Sequence, residues 1–307
     1  MSDASDPRTA GVTPSSPLIG RGLKLAYGHR VVSADLDVEI PRASFTVILG
    51  PNACGKSTLL RALARLLAPV EGQVVLDGRE IGTYPSRHVA RRLGLLPQSS
   101  TSPPGITVGD LVARGRFPHQ TLLRRWSSED DDAVRRAMED SGVSDLAERQ
   151  VDELSGGQRQ RVWLALVLAQ QTPLLLLDEP TTFLDVSHQL EVLNLCRRLH
   201  RSGRYTLVAV LHDLNLAFRY ATHLVVMKDG QIRATGSPRD IVTPGLVEDV
   251  YGIRCTCIPD PHTGRPLVIP LDEEEAPVPD AVRSPAPEAG EGCARPGSGA
   301  SGPRERE

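Results

Sequence analysis

Leu154-Ser155-Gly156-Gly157-Gln158 is the stretch on which the reading of this chain turns. It lies between a second glycine-rich string, Gly50-Pro51-Asn52-Ala53-Cys54-Gly55-Lys56-Ser57-Thr58, and an acidic pair, Asp178-Glu179, that ends an apolar run. The earlier string follows the apolar residues 45–49. It opens a helical pattern over residues 57–67, where Leu59, Leu60, Leu63, Leu66 and Leu67 recur at helix spacing. In that strand-to-helix setting the string is a phosphate-binding loop. Successive backbone N–H groups wrap phosphate oxygens, and the helix start adds the positive end of its dipole. Lys56 is expected at the β- and γ-phosphates and the Ser57 hydroxyl on Mg²⁺.

The apolar residues 174–177 suit a central parallel strand covered on both faces. Such a strand delivers Asp178 and Glu179 to its carboxyl end, where open α/β sheets bind ligands. Glu179 is placed to polarise an attacking water as general base, a role worth roughly a hundred- to ten-thousandfold. Capping of the next helix is the competing use of two adjacent carboxylates, and Pro180 disfavours it. His212 ends the next apolar run, residues 206–211, and is expected at the same edge of the sheet. Ser155, Gly156 and Gly157 open an apolar helix over residues 158–169, and that end is itself an anion site. One chain cannot easily fold this second site onto its own phosphate loop.

Composition sets the frame for these motifs. A chain of 307 residues with 40% hydrophobic residues has room for one large α/β domain or two modest ones. No run approaches the roughly 18 to 20 apolar residues needed to span a bilayer. The longest candidate, residues 162–177, is broken by Gln170, Gln171 and Pro173. The first sixteen residues lack the basic stretch and apolar core of a secretory signal. Five cysteines without paired spacing suit a reducing compartment, so the protein is expected in the cytosol. Cys255 and Cys257 read either as a metal pair or as alternate residues on one strand face. A net charge of −3 gives no basic footprint for nucleic acid.

Residues 1–17 and 272–307 are polar and rich in Pro or acidic residues, and are expected to be a disordered leader and tail. Between them, strands are expected at 23–27, 36–40, 45–49, 74–76 and 93–96, then a helical insertion over about 99–168 without strands. Strand and helix alternate again from 174 to 227, which argues for a parallel sheet wrapped by helices. Two short helices over 237–251 and a hairpin of 255–258 with 267–269 close the folded part at 271.

The three motifs together resemble the ATP-binding subunit of an ABC transporter. That resemblance implies a P-loop NTPase fold: a RecA-like parallel sheet core, an N-terminal antiparallel β-subdomain and an inserted α-helical subdomain. It implies ATP and Mg²⁺ as ligands. Residues Gly50, Pro51, Asn52, Ala53, Cys54, Gly55, Lys56, Ser57 and Thr58 are then the nucleotide loop, with Ala53 standing where the family usually has Gly. Tyr27 resembles the aromatic that stacks on adenine, a strand-edge tyrosine being the alternative. Asp178 resembles the residue that holds Mg²⁺ through water, Gln98 the glutamine that touches Mg²⁺ or the attacking water, and His212 the switch histidine at the γ-phosphate. Ser155, Gly156, Gly157 and Gln158 are implied to bind the γ-phosphate held by a second copy. Two nucleotides are thereby sandwiched in a head-to-tail dimer, with Asp185 along its seam.

Val112-Ala-Arg-Gly-Arg-Phe-Pro-His-Gln120, Val151 through Arg161, Asp178-Glu-Pro-Thr-Thr-Phe-Leu-Asp-Val-Ser-His-Gln189 and Leu211-His-Asp-Leu-Asn215 are similar to the ATPases of bacterial ferric-siderophore importers, the ferric enterobactin type closest. The resemblance implies an integral membrane permease as partner, an extracytoplasmic siderophore-binding protein acting indirectly, and a peripheral place on the cytoplasmic side of the membrane. Residues 105–120 are expected to dock on the permease through Arg114, Arg116, Phe117 and His119, a solvated loop being the alternative. Haem, cobalamin or another metal chelate is the alternative cargo. A soluble ABC ATPase outside transport is the alternative class, disfavoured by the single set of motifs and the lack of sustained heptads.

Overall fold

The computed structural model describes residues 16–120, 126–182 and 184–272. The expected leader and tail lie outside the described residues except for Ser16, Pro17 and Asp272, and so does Phe183. The chain runs β1 (Leu18–Tyr27), β2 (Arg30–Ile40), β3 (Phe45–Leu49), α1 (Lys56–Leu63), β4 (Glu71–Leu76), β5 (Arg79–Glu80), α2 (Ser86–Ala90) and β6 (Leu93–Leu96). A helical segment follows, with α3 (Val108–Ala113), a 3-10 turn at Arg114–His119, α4 (Ser128–Ser141) and α5 (Gly156–Ala169). The sheet then resumes with β7 (Leu174–Leu177), α6 (Val186–Arg201), β8 (Thr206–Val210), α7 (Leu214–Tyr220), β9 (His223–Lys228) and β10 (Gln231–Gly236). Two short helices, α8 (Pro238–Ile241) and α9 (Pro244–Tyr251), lead to the hairpin β11 (Cys255–Pro259) and β12 (Pro266–Pro270).

Among the described residues the strands form three sheets: an antiparallel sheet of order β2-β1-β4-β5, a six-stranded sheet of order β10-β9-β3-β8-β7-β6, and the pair β11-β12. In the six-stranded sheet β9, β3, β8, β7 and β6 are mutually parallel, and β10 is the antiparallel edge. The apolar run of β7 is explained by its place in the middle of the molecule. Leu175 and Leu177 enter the core shared with the helical segment, α6 and α7, while Leu174 and Leu176 enter the core under α1 and the antiparallel sheet. All four are at most 2% exposed, and each such burial stabilises by about 2 kcal/mol.

The parallel sheet, the antiparallel β-subdomain and the helical insert have the architecture expected from sequence. Differences fall where local signals are weak. The helix after the phosphate loop stops at Leu63 rather than 67, because Arg65 turns to φ +62° and the chain leaves the sheet face, with Leu66 66% exposed. Strand β10 has no counterpart in the sequence reading. Only alternate residues of this edge strand are half-buried, so it carries no apolar run.

Candidate functional site

Every parallel strand brings a chemical group to the same edge of the sheet. β3 runs into the loop at Gly50, β6 into Gln98, β7 into Asp178 and Glu179, β8 into His212 and β9 into Asp229-Gly230. The loop has a tight backbone. Gly50 is at φ +152°, and a Cβ there would lie 2.2 Å from the Met227 carbonyl oxygen. Ala53 is at φ +61°, a left-handed conformation that costs an L-residue roughly 1–2 kcal/mol relative to glycine. The missing glycine at this position therefore leaves the loop geometry in place but strained. Lys56, only 5% exposed, donates to the carbonyl oxygens of Gly50 at 2.8 Å and Pro51 at 2.7 Å.

Ser57 Oγ donates to Asp178 Oδ1 at 2.8 Å, so the loop and the β7 end share one polar contact. Asp178 is 2% exposed, and its nearest cation is Arg61, with Nε 4.0 Å from Oδ2. Burial raises its carboxyl above the usual range, against the opposing pull of Ser57 and Arg61. Glu179 is at φ +52°, and its side chain is engaged at both oxygens. Oε1 lies 2.8 Å from His212 Nε2, and Oε2 accepts from Gln98 Nε2 at 2.7 Å and Thr182 Oγ1 at 3.0 Å. Burial alone would raise this carboxyl too. The bonds from His212, Thr182 and Gln98 outweigh it and hold Glu179 below the ordinary carboxylate range. Two neighbouring carboxylates are thus driven in opposite directions, Asp178 upward by burial and Glu179 downward by its hydrogen-bond partners.

A cleft of about 510 Å³ opens over these groups, lined by Tyr27, Asn52, Ala53, Gly55, Lys56, Ser57, Thr58, Glu179 and His212 among others. Tyr27 stands at its rim, 46% exposed. Arg30, Val31, Val32, Asp229 and Gly230 also line it and were not singled out from sequence. The Asp229-Gly230 turn between β9 and β10 was the available signal. Gly230 lies so close to Val32 that a Cβ would be 2.0 Å from its carbonyl oxygen.

Ser155, Gly156, Gly157 and Gln158 are not among the residues lining the cleft. Ser155 and Gln158 instead form a capping box at the start of α5: Ser155 N–H donates to Gln158 Oε1 at 3.1 Å, and Gln158 N–H to Ser155 Oγ at 3.3 Å. Gly157 is needed for close packing, since a Cβ there would lie 2.2 Å from the His188 ring. Asp185 caps α6, accepting from His188 N–H at 2.9 Å and Ser187 Oγ at 2.9 Å, and these bonds with the His188 ring hold it down to about 2.

The basic and aromatic patch expected over residues 105–120 is only partly on the surface. Arg114 and Phe117 are exposed, but Arg116 is 3% exposed. Its Nε is 2.8 Å from Asp130 Oδ1, and its Nη1 donates to the Ala169 carbonyl at 2.8 Å and to Gln171 Oε1 at 2.9 Å. His119 Nε2 bonds the Gln170 carbonyl at 2.8 Å. Arg116 and His119 therefore tie the 3-10 turn at Arg114–His119 to the end of α5; an arginine beside a phenylalanine gave no sequence sign of an internal partner 14 residues away.

A strand-to-helix phosphate loop and a strand-end carboxylate pair on one parallel sheet, with a capped glycine helix on an insert, define a nucleotide-binding cassette. The family model described as ABC transporter matches residues 33–182. The ferric enterobactin transport ATP-binding protein FepC of Escherichia coli (strain K12) is 57% identical over 254 residues, covering 83% of this chain and 94% of FepC. A solved transporter described as of metal-chelate type, in an inward-facing conformation, matches with TM-score 0.72 at 27% identity over 84% of this chain and 98% of that one. A dimeric bacterial ABC transporter cassette matches with TM-score 0.65 at 25% identity over 73% of this chain and 100% of that one. The chain belongs to the ATP-binding proteins of the ABC transporter family. Among the described residues no helix is long and apolar enough to cross a membrane.

Proposed function

We propose that this chain is the ATP-hydrolysing subunit of an importer of ferric siderophores. The observation that carries the hydrolysis is Glu179, ionised and held by His212, Gln98 and Thr182 beside the phosphate loop. Three side chains hold its oxygens, with His212 alone on Oε1, so Oε1 keeps acceptor capacity for a water between Glu179 and a γ-phosphate. Lys56 exchanges its bonds to Gly50 and Pro51 for phosphate oxygens, and the loop N–H groups bind the rest. Tyr27 offers the face for the adenine ring.

The donor chemistry fits Mg²⁺. The Ser57 hydroxyl, the Asp178 carboxylate and the Gln98 amide oxygen are hard oxygen ligands. Asp178 is moreover a buried carboxyl pushed upward by desolvation, which a dication relieves. Bound there, Mg²⁺ would neutralise charge on the phosphates.

The capping box takes up the Gln158 N–H, the Gly156 and Gly157 N–H groups have no carbonyl partner within the helix, and this helix start is not part of the chain's own cleft. This supports their use on the nucleotide of a second copy, with Asp185 at the seam, as in a head-to-tail dimer. FepC's transport of ferric enterobactin supports the cargo assignment, and the metal-chelate transporter supports coupling to a permease. The exposed Arg114 and Phe117 are the remaining candidates for that contact. Ferric-siderophore uptake is the test, measured in the native cell after deletion and after restoring either the intact chain or Glu179→Gln. Rescue by the intact chain alone is the expected result; uptake unaffected by the deletion defeats the cargo reading.

A further inference from the structure

The carboxyl-terminal hairpin belongs to neither large sheet, yet it grips α7 at both ends. Val268 faces Cys257 across the hairpin, and its own N–H and carbonyl both bond outward to Asn215. The Val268 N–H donates to Asn215 Oδ1 at 2.8 Å, and the Val268 carbonyl accepts from Asn215 Nδ2 at 3.1 Å. A side-chain amide thus completes the free edge of β12 as a neighbouring strand would. Two bonds to one planar amide fix both the place and the tilt of the first turn of α7. At the far end Arg265 Nη1 donates to the carbonyl oxygens of Phe218 at 3.0 Å, Arg219 at 2.9 Å and Ala221 at 2.6 Å. These are groups that a helix end cannot satisfy by itself.

The gripped helix begins where the site ends. β8 stops at Val210, His212 lies 2.8 Å from Glu179, and Asp213 caps α7 by accepting from Leu216 N–H at 2.7 Å. Ala217, Phe218 and Tyr220 anchor the buried side of α7, all at most 4% exposed. In the first turn Leu214 and Leu216 pack against the same core only in part, so Asn215 is the hydrogen-bonded tie from α7 to another element that lies nearest to His212.

Taking His212 as the partner of Glu179, we propose that Asn215 is a positioning residue for hydrolysis: by bridging to β12 it fixes the first turn of α7 and so holds His212 against Glu179. Arg265 supports the same helix from its other end. The hairpin therefore serves the reaction without lining the cleft. Misplacement of a reacting group by about 1 Å can cost a hundredfold in rate, so a loosened turn is read most directly in kcat.

Steady-state ATPase rates and Mg-ATP affinity of Asn215→Leu and Asn215→Asp, each made with and without His212→Ala, form the test. Asn215→Leu loses both bonds, and its kcat is expected to fall about tenfold while nucleotide affinity changes less than about twofold. Asn215→Asp keeps the acceptor for the Val268 N–H and recovers part of the loss. On His212→Ala, the Asn215 substitution costs little further, because the residue being positioned is gone. A parental rate in Asn215→Leu, or an undiminished loss on the His212→Ala background, overturns the positioning role alone. A parental rate in His212→Ala overturns the site reading and this proposal together. Should Asn215→Leu fail to fold, Asn215→Asp carries the same four-way comparison.

Discussion

Asp178 and Glu179 differ by one position and have opposite electrostatics. Glu179 gains three hydrogen-bond partners, whereas Asp178 is nearly sealed with one hydroxyl and a guanidinium at 4.0 Å. A carboxyl raised on folding binds its proton more tightly in the folded chain than in the unfolded one. Its ionised form then costs stability, and the cost grows as pH rises through the ordinary carboxylate range and is complete above the folded value. Asp178→Asn is accordingly expected to resist urea better than the parent at neutral pH without nucleotide, the difference closing toward pH of about 4. A less stable Asp178→Asn would mean that Ser57 and Arg61 more than repay the burial. Adding Mg-ATP is expected to reverse the order.

At the scale of elements, the helical insert is fastened by a buried ion pair. Arg116 and Asp130 are 3% and 1% exposed, and Asp130 also accepts from Ser127 in the capping box of α4. Burial raises the Asp130 carboxyl, but the bonds from Arg116 and Ser127 prevail and hold it below its usual range. Stability from this group is present above the unfolded carboxylate range and is lost as pH falls through the lowered value. Arg116→Leu strands a buried charge and is expected to cost about 3–5 kcal/mol in urea unfolding, with much of it recovered in Arg116→Leu/Asp130→Leu. A cost near that of a surface pair, below about 1 kcal/mol, would show that Asp130 finds water or another partner. The contrast with β7 is instructive. Four leucines announce a buried strand from the sequence, whereas a buried arginine looks like any surface arginine until its partner is brought to it.

At the scale of the whole molecule, one chain presents half of each proposed nucleotide site: a cleft with loop, carboxylates and His212, and elsewhere a capped helix start. Glu179→Gln with Mg-ATP is expected to elute at twice the mass of the single chain, and the parent to return to the single chain once nucleotide is hydrolysed. A nucleotide-loaded variant that stays a single chain at every concentration would remove the head-to-tail assembly. Linkage gives a second readout, since nucleotide affinity should then rise with protein concentration.

The sequence by itself determined the sheet core and which residues stand at its carboxyl edge. Continuous buried runs set β3, β7 and β8, and in a parallel sheet whatever follows a strand must appear at its carboxyl edge. That logic was enough to bring Gln98, Asp178, Glu179 and His212 to the edge shared with the phosphate loop. Tertiary structure alone decided which side chains meet. The grip of Gln98 on Glu179, the burial of Arg116 against Asp130, the closeness of Gly157 to His188 and the bridge from Asn215 to β12 all join residues on separate elements. Local propensity specifies elements and strand ends because it acts within a few residues. Polar pairing over long separations depends on how packed elements bring donors to acceptors, and no spacing in the chain records it.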